Sequence, residues 1–489
     1  MIRAPHLLSA AVVGLALGTA AWHPWLWWLV FPGLFGLLAL TEAEQSLARC
    51  AQYVFLVFVI KAAGGAIGIW YVYPFDWLGI TNPVVQLTAL TIYWLAGATA
   101  VAVGATLTIL LARWLTRNKS AIRRAMLFPP VLVAAEIAGS FTASLFYWGP
   151  GSGPHLHYAM DYVGYAFGHV LPLASMAQFG GVYLLSALAA SLASLAYFGW
   201  RLPHTRYYAG GGLFGLVLFV MFVHLSLTTS TPLNRSVITI DTTFTTELLR
   251  EPAGHAYKQN QVREAVVAAL SYQPDYVVLP EDSRLTTGFG SPEATTDFLS
   301  TYATDTIVVD SSRTFDAAGN TVLRAYTYDL ARGNWHITDK TYLVPGGEFV
   351  PYLAQGLFHV FKDEETIATI SRQLAYRPGR DPLDTTVPTD VPQLLFCSES
   401  VSPLLTRSRH QQRPADFTAH LVSHSWFHNP VILRNQLTAM LRVQAIWSGT
   451  PIVVAGNQTT GFLITKTGVL IPGKSIESSG AWKLTNYQI

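Results

Sequence analysis

The chain has 489 residues, 51% of them hydrophobic and only 12% charged, with a mean hydropathy of +0.33; an average soluble domain is about a quarter charged. These values exclude a disordered chain and an ordinary soluble protein. The charges are also segregated: residues 1–229 carry 15 of the 60 Asp, Glu, Lys and Arg and a net +5, and residues 230–489 carry 45 and a net −3. The front part therefore reads as a membrane domain. The back part reads as a water-facing domain whose negative balance offers no footprint for nucleic acid. Cys50 and Cys397 fall in different halves, which argues against a disulfide framework.

A span needs about 20 mostly apolar residues. Seven candidates follow in order, at 5–21, 24–41, 51–73, 85–112, 125–147, 174–199 and 209–228. Small residues end the first (Gly18, Thr19, Ala20, Ala21), as they would a cleaved leader. The next apolar run starts at once at Trp25, which favours a retained span. Arg113, Arg117, Lys119, Arg123 and Arg124 sit between spans four and five, and Arg201 and Arg206 between six and seven. The connections at 74–84 and 148–173 carry no Lys or Arg. Basic loops stay cytoplasmic, so seven spans that start inside place the domain from about 230 onward outside. Lys61 and Glu136 lie within spans. Such charges contact substrate or form a structural pair, and the structural reading, with a snorkelling Lys61 as its variant, is the expectation here.

In the back half, strand-like runs recur at Val237–Ile240, Asp275–Leu279, Thr306–Asp310, Leu323–Tyr328, Thr341–Val344, Gln393–Phe396, His420–Ser423 and Ile452–Ala455. Gly461–Ile464 and Val469–Ile471 read as a hairpin. Val262, Ala265, Val266, Ala269 and Leu270 predict a helix over 257–272. Leu433, Leu437, Met440 and Leu441 predict another over 430–448, with Asn429 as N-cap, Pro430 at its first position and Gly449 as C-terminal cap. Strands with a few packed helices make a layered α/β domain.

Three polar groups end apolar runs: Glu281 after 275–280, Lys340 after 335–339 and Cys397 after 393–396. Strand ends hold side chains rigidly at a rim. There a carboxylate can take a thiol proton, and an ammonium can favour a thiolate and stabilise an oxyanion. A cysteine after Leu-Leu-Phe is also ordinary core, and spacing alone does not choose.

Pro280-Glu281, the run from Lys340 through Leu343-Val-Pro-Gly-Gly-Glu348 to Pro351, and Phe396-Cys397-Ser398-Glu399 resemble the nitrilase, or carbon–nitrogen hydrolase, superfamily. The chain more closely resembles its membrane branch, the apolipoprotein N-acyltransferases, in which a Lys stands eight residues before the Glu of a similar run. His23-Pro-Trp, Trp70-Tyr-Val-Tyr, Glu136, the 171–183 segment, Ser425-Trp-Phe, Gln436, Arg442 and Asn457 extend the likeness over nearly the whole chain. The resemblance implies a multi-span α-helical membrane domain at 1–229, followed by an extracytoplasmic α-β-β-α sandwich at 230–489. It implies Cys397 as nucleophile, Glu281 as general base and Lys340 as oxyanion stabiliser, with Glu348 and Glu399 as supporting carboxylates. It further implies fatty acyl transfer from a phospholipid, through a cysteine thioester, to the N-terminal amine of diacylglyceryl-cysteine lipoproteins. The setting would be the bacterial inner membrane, with the catalytic domain periplasmic and no cofactor.

The sequence departs from that pattern at Ser398, where the family has an aromatic residue, and at Ser423–His428, where it has Asn-Asp-Ala-Trp-Phe-Gly. Asp241-Thr-Thr stands where Gln-Gly-Asn is usual, and no span follows Tyr487-Gln-Ile489. These changes bear on the acceptor. A membrane-tethered amidase acting on a soluble amide and a degenerate envelope scaffold are the alternatives; the spans argue against the first and the intact Glu281, Lys340 and Cys397 against the second. His420, His424 and His428 are spaced four apart, but they fall in a strand-and-loop pattern, so no metal site is expected. Residues 349–361 are unusually apolar. They form either a buried helix or a lipid-facing arm presenting Phe349, Phe358 and Phe361 to the outer leaflet.

Overall fold

The computed structural model describes residues 4–489 except 45, 76–79, 81, 202–205, 228–233, 247, 249–251, 361–373, 380–385 and 429, and except the side chains of 4, 227 and 357–360. The front half is helical: α1 (Ala4–Thr19), α2 (Val30–Ala43), α3 (Leu47–Gly65), α4 (Pro83–Leu115), α5 (Ala121–Phe146), α6 (Leu171–Ala174), α7 (Ala177–Arg201) and α8 (Arg206–Leu227). Among the described residues, α3, α4, α5, α7 and α8 are long and apolar enough to cross a membrane, and the first two expected spans form shorter apolar helices. At about 1.5 Å per residue, the 33 residues of α4 reach about 50 Å, well beyond a hydrocarbon core of about 30 Å. One end of α4 is therefore free to run alongside the second half of the chain. The buried charges meet: Lys61 Nζ lies 2.7 Å from Asp161 Oδ2 and 3.5 Å from Glu136 Oε1, and Glu136 also accepts from the Val163 amide.

The back half has strands β1 (Ser236–Thr242), β2 (Tyr276–Val278), β3 (Ile307–Phe315), β4 (Thr321–Asp329), β5 (Asn334–Asp339), β6 (Gln393–Phe396), β7 (Thr418–Ser423), β8 (Ile452–Asn457), β9 (Phe462–Ile464), β10 (Leu470–Ile471), β11 (Lys474–Ser478) and β12 (Trp482–Gln488). Its helices are α9 (Pro252–Leu270), α10 (Leu285–Phe289), α11 (Pro292–Ser300), α12 (Tyr352–Val360), α13 (Leu405–Gln412) and α14 (Val431–Ser448). The strands make two leaves, β11-β12-β1-β2-β3-β4-β5 and β6-β7-β8-β9-β10, joined where Thr242 of β1 pairs with Asn457 of β8. Within them β1-β2-β3 and β6-β7-β8 are parallel.

Strand alternation builds the layers. Val237, Val278, Leu394, Leu421 and Val453 point into one core between the leaves. Their neighbours Ile238 and Val277 pack on α9 and α11 through Val262, Val266 and Leu299. Leu395, Val422 and Val454 pack on α13 and α14 through Leu405, Leu437 and Leu441. The order is thus helix, sheet, sheet, helix, the expected sandwich. Each buried Leu, Ile or Val contributes about 1.5–3 kcal/mol of burial free energy.

α14 is shared between the two halves. Its Asn435 donates to the Trp22 carbonyl and its Gln436 to the Gly65 carbonyl, each at 2.9 Å, and Arg442 donates to the Gly168 carbonyl at 2.6 Å. Gly181 breaks α7 at φ 58°, and a Cβ there would sit 2.2 Å from the Trp447 ring of α14, so glycine is needed for both the bend and the contact. Gly449 caps α14 in the left-handed region at φ 74°, as expected, while Pro430 occupies the N-cap itself, so the helix starts one residue later than predicted; Asn429 lies outside the described residues.

Thr341–Val344 was expected as a strand and is a loop. Its amides are taken by carboxylates and not by a neighbouring strand: Thr341 donates to Glu399 Oε1 at 2.8 Å and Val344 to Glu348 Oε2 at 2.7 Å. β12, unexpected in the sequence, lies antiparallel on β1 from Ser236↔Gln488 to Thr242↔Trp482.

Candidate active site

Three strand ends deliver the groups. β2 leads through Leu279 and Pro280 to Glu281. β5 leads directly to Lys340, whose amide donates to the Leu323 carbonyl at 2.8 Å. β6 leads to Cys397, the first residue of a 3-10 turn, Cys397–Val401. Lys340 is buried and donates both to Glu281 Oε1 at 2.9 Å and to Glu348 Oε1 at 2.7 Å. Glu348 is held by its second oxygen on the Val344 amide, and its own amide donates to the Val344 carbonyl at 2.8 Å. The eight-residue interval therefore closes a tight loop on the Lys340 ammonium.

Burial alone would favour a neutral Lys340. Glu281 and Glu348 outweigh it and hold the ammonium well above the ordinary lysine range. Burial pushes Glu281 up to about 7, with Lys340 pulling the other way and Glu348 adding to the rise. Burial, then the Glu281 charge, pushes the Cys397 thiol up to about 12, against the opposing pull of Lys340. The resting state is thus a thiol beside a carboxyl group that titrates near neutrality and an ammonium that stays charged. Among the described residues the thiol's hydrogen-bond partner is the Ser423 carbonyl, at 3.9 Å from Sγ. Glu281 is engaged with Lys340, and such bonds commonly rearrange once substrate enters.

Glu399 is fully buried and organises the turn that begins at Cys397. It accepts from the Phe396 amide at 3.0 Å, from Thr341 N and Oγ1 at 2.8 and 2.7 Å, and from Arg409 Nη1 at 2.9 Å. Burial alone would raise its pKa, but Arg409 holds it below the ordinary carboxylate value. Arg409 was not singled out in the sequence; it is one of two arginines in the short polar helix Leu405–Gln412 that follows Cys397. Gln444 of α14 adds a second support, donating to the Ser400 carbonyl at 2.5 Å.

Residues from the helical half complete the surround. Tyr93 donates to the Pro345 carbonyl at 2.9 Å, and the Tyr352 amide donates to the Trp148 carbonyl at 2.8 Å. The His157 ring lies against Tyr342, tilted by 37° with centroids 3.8 Å apart, and bonds the Ser402 hydroxyl. Ser398, at the position where an aromatic was expected, donates to the Tyr342 carbonyl at 2.6 Å. Asp161 was also missed, although it is the one acidic residue between Glu136 and Asp241.

The lipid-facing arm is corrected in part. Phe349 is 1% exposed, in a small core with Leu343 and Tyr376. Gly151 makes room for it, since a Cβ there would lie 2.4 Å from the Phe349 ring. α12 follows, with Tyr352 and Leu353 exposed. The Phe358 side chain and Phe361 lie outside the described residues. His420 is on β7 and His424 in the loop after it, where the His424 amide donates to the Asn457 carbonyl.

The fold and site thus define a chain with membrane-length helices joined to a four-layer α/β domain, carrying a carboxylate–lysine–carboxylate cluster beside a cysteine. No family model and no curated protein matches the chain. Among solved structures it is similar to an amidase from Nesterenkonia of the nitrilase superfamily, at 10% identity and a TM-score of 0.37, over 54% of this chain and 93% of that one. It is also similar to a carbon–nitrogen hydrolase from Helicobacter pylori, at 12% identity and a TM-score of 0.36, over 51% and 89%. Likenesses this remote assign no activity.

Proposed function

We propose that the chain is a membrane-bound N-acyltransferase working through Cys397. The observation that carries the reading is the buried Lys340 joined to both Glu281 and Glu348 next to a cysteine, in a domain docked through α14 on membrane-length helices. Glu281 takes the thiol proton, and Sγ attacks the ester carbonyl of a phospholipid. Lys340 stabilises the oxyanion. The carbon–oxygen bond to glycerol breaks, and the lysophospholipid leaves with the proton from Glu281. The N-terminal amine of a diacylglyceryl-cysteine lipoprotein then attacks the thioester. Its proton passes to Glu281 and on to the departing sulfur, which restores the thiol.

A lipid donor and a lipid-anchored acceptor both reside in the membrane, which is what a catalytic domain fixed to apolar helices favours. The basic connections support an extracytoplasmic position for that domain, at a bacterial inner membrane. The test is transfer of a labelled fatty acyl chain from phospholipid to a synthetic diacylglyceryl-cysteine peptide. Label on the peptide amine supports the reading. Label recovered only as free fatty acid would assign water as acceptor and replace it with a tethered hydrolase.

A further inference from the structure

Beside the nucleophile lies a cavity of about 170 Å³ that the chemistry above does not use. Its apolar wall is Val422, Leu437, Val454 and Phe462, and Arg434 and Thr438 of α14 supply polar groups. Thr460, also in the lining, is exposed, so the cavity opens to the outside there. Register fixes its place. Phe396 pairs with Leu421, and the Cys397 thiol lies 3.9 Å from the Ser423 carbonyl, so Cys397 comes close to Val422 in the cavity wall. Both face α14, since Cys397 packs on the same cluster as Val422, Leu437 and Val454.

Arg434 is half-buried, and no carboxylate pairs with it among the described residues. A guanidinium facing an apolar cavity suits an anion that arrives with apolar surface, and its planar fork matches phosphate oxygens. The level is also informative. Leu433, Asn435 and Gln436, on either side of Arg434, meet Gly68, Trp22 and Gly65 at one end of the helical half. Arg434 therefore sits where the catalytic domain meets the helix ends, the depth of a lipid headgroup if those helices span.

Resting on the acyltransferase reading, we propose that this cavity is the donor-headgroup subsite, in which Arg434 holds the phosphodiester of the phospholipid while its ester carbonyl reaches Cys397. Arg434 is a binding residue in this account and takes no part in proton transfer.

The test compares two donors of identical chains in the same micelles, a phosphatidyl lipid and the uncharged diacylglycerol, by the rate of acyl-enzyme formation. Arg434→Gln should cut kcat/KM about tenfold with the phosphatidyl lipid, the size of one lost charge-assisted hydrogen bond. It should change the diacylglycerol rate less than twofold, and Arg434→Lys should restore part of the loss. Thr438→Leu, which narrows the cavity and keeps the guanidinium, should show the same preference. A loss shared equally by the two donors, or no loss, in both the Arg434→Gln and Thr438→Leu variants overturns the subsite. Competition by inorganic phosphate as strong as by lysophospholipid would assign the cavity to a free anion and overturn the headgroup assignment. Failure of the unaltered protein to accept acyl from either lipid would instead refute the acyltransferase reading itself.

Discussion

The hydroxyl of Tyr93, on membrane-length helix α4, donates at 2.9 Å to the carbonyl of Pro345, in the loop between Lys340 and Glu348. The Lys340–Glu348 loop is thus braced by a residue more than two hundred positions earlier in the chain. The excess length of α4 over a bilayer core is what allows this reach. Tyr93→Phe removes one hydrogen bond worth about 0.5–1.5 kcal/mol. Turnover should fall about two- to tenfold, with the Cys397 acyl-enzyme still formed, as single-turnover kinetics would report. Unchanged turnover would show that the loop needs no brace.

Acylation should follow the ionisation of Glu281. Its carboxyl is raised to about 7 by burial, so below that pH it is protonated and cannot accept the thiol proton. The rate of acyl-enzyme formation should climb with pH through about 7 and level above it, while Lys340 stays charged across the range because its carboxylates hold it high. Glu281→Gln should abolish the climb and lower the rate by about 10²–10⁴-fold. A flat profile in the unaltered protein would remove Glu281 from the role of base.

The Glu399–Arg409 pair is fully buried, and breaking such a pair by removing one partner costs about 3–5 kcal/mol. Glu399→Gln should lose stability on that scale in thermal or denaturant unfolding, since Arg409 keeps its charge without an anion. The folded-state pKa of Glu399 is lowered. Its contribution is therefore complete above the ordinary glutamate pKa and is lost as pH falls through the lowered value. Acid sensitivity in that range should diminish in the variant; equal sensitivity would point to other carboxylates.

Much of the site could be read from the sequence because strand ends are local. The apolar runs before Glu281, Lys340 and Cys397 fold as strands or their extensions. The stripe of Leu437 and Leu441 gave the helix that packs on β7 and β8. What stayed hidden depends on distant partners. Thr341–Val344 has the composition of a strand, yet its amides serve Glu399 and Glu348. Phe349 looked suited to lipid because nothing nearby in sequence announces the glycines at 149 and 151 that receive it. β12 is legible only once β1 lacks a neighbour on that side. Asp161 sits in a connection, so its bond with Lys61 has no periodicity to betray it.

The distribution of basic residues fixes a handed expectation for the helical half. A reporter joined after Asn234 should be active outside the cytoplasm, and one joined at Lys119 inside it. Reporters on the same side would mean that an even number of crossings separates these points, and a reversed pair would overturn the orientation.

Intact-protein mass spectrometry after incubation with a phospholipid of defined chains tests the central claim most directly. The account predicts a mass increase equal to one fatty acyl group, mapped to Cys397, sensitive to hydroxylamine, absent in Cys397→Ser and discharged by an amine acceptor. No adduct on Cys397 under turnover with phospholipid, or an undiminished transfer rate in Cys397→Ser, would contradict it.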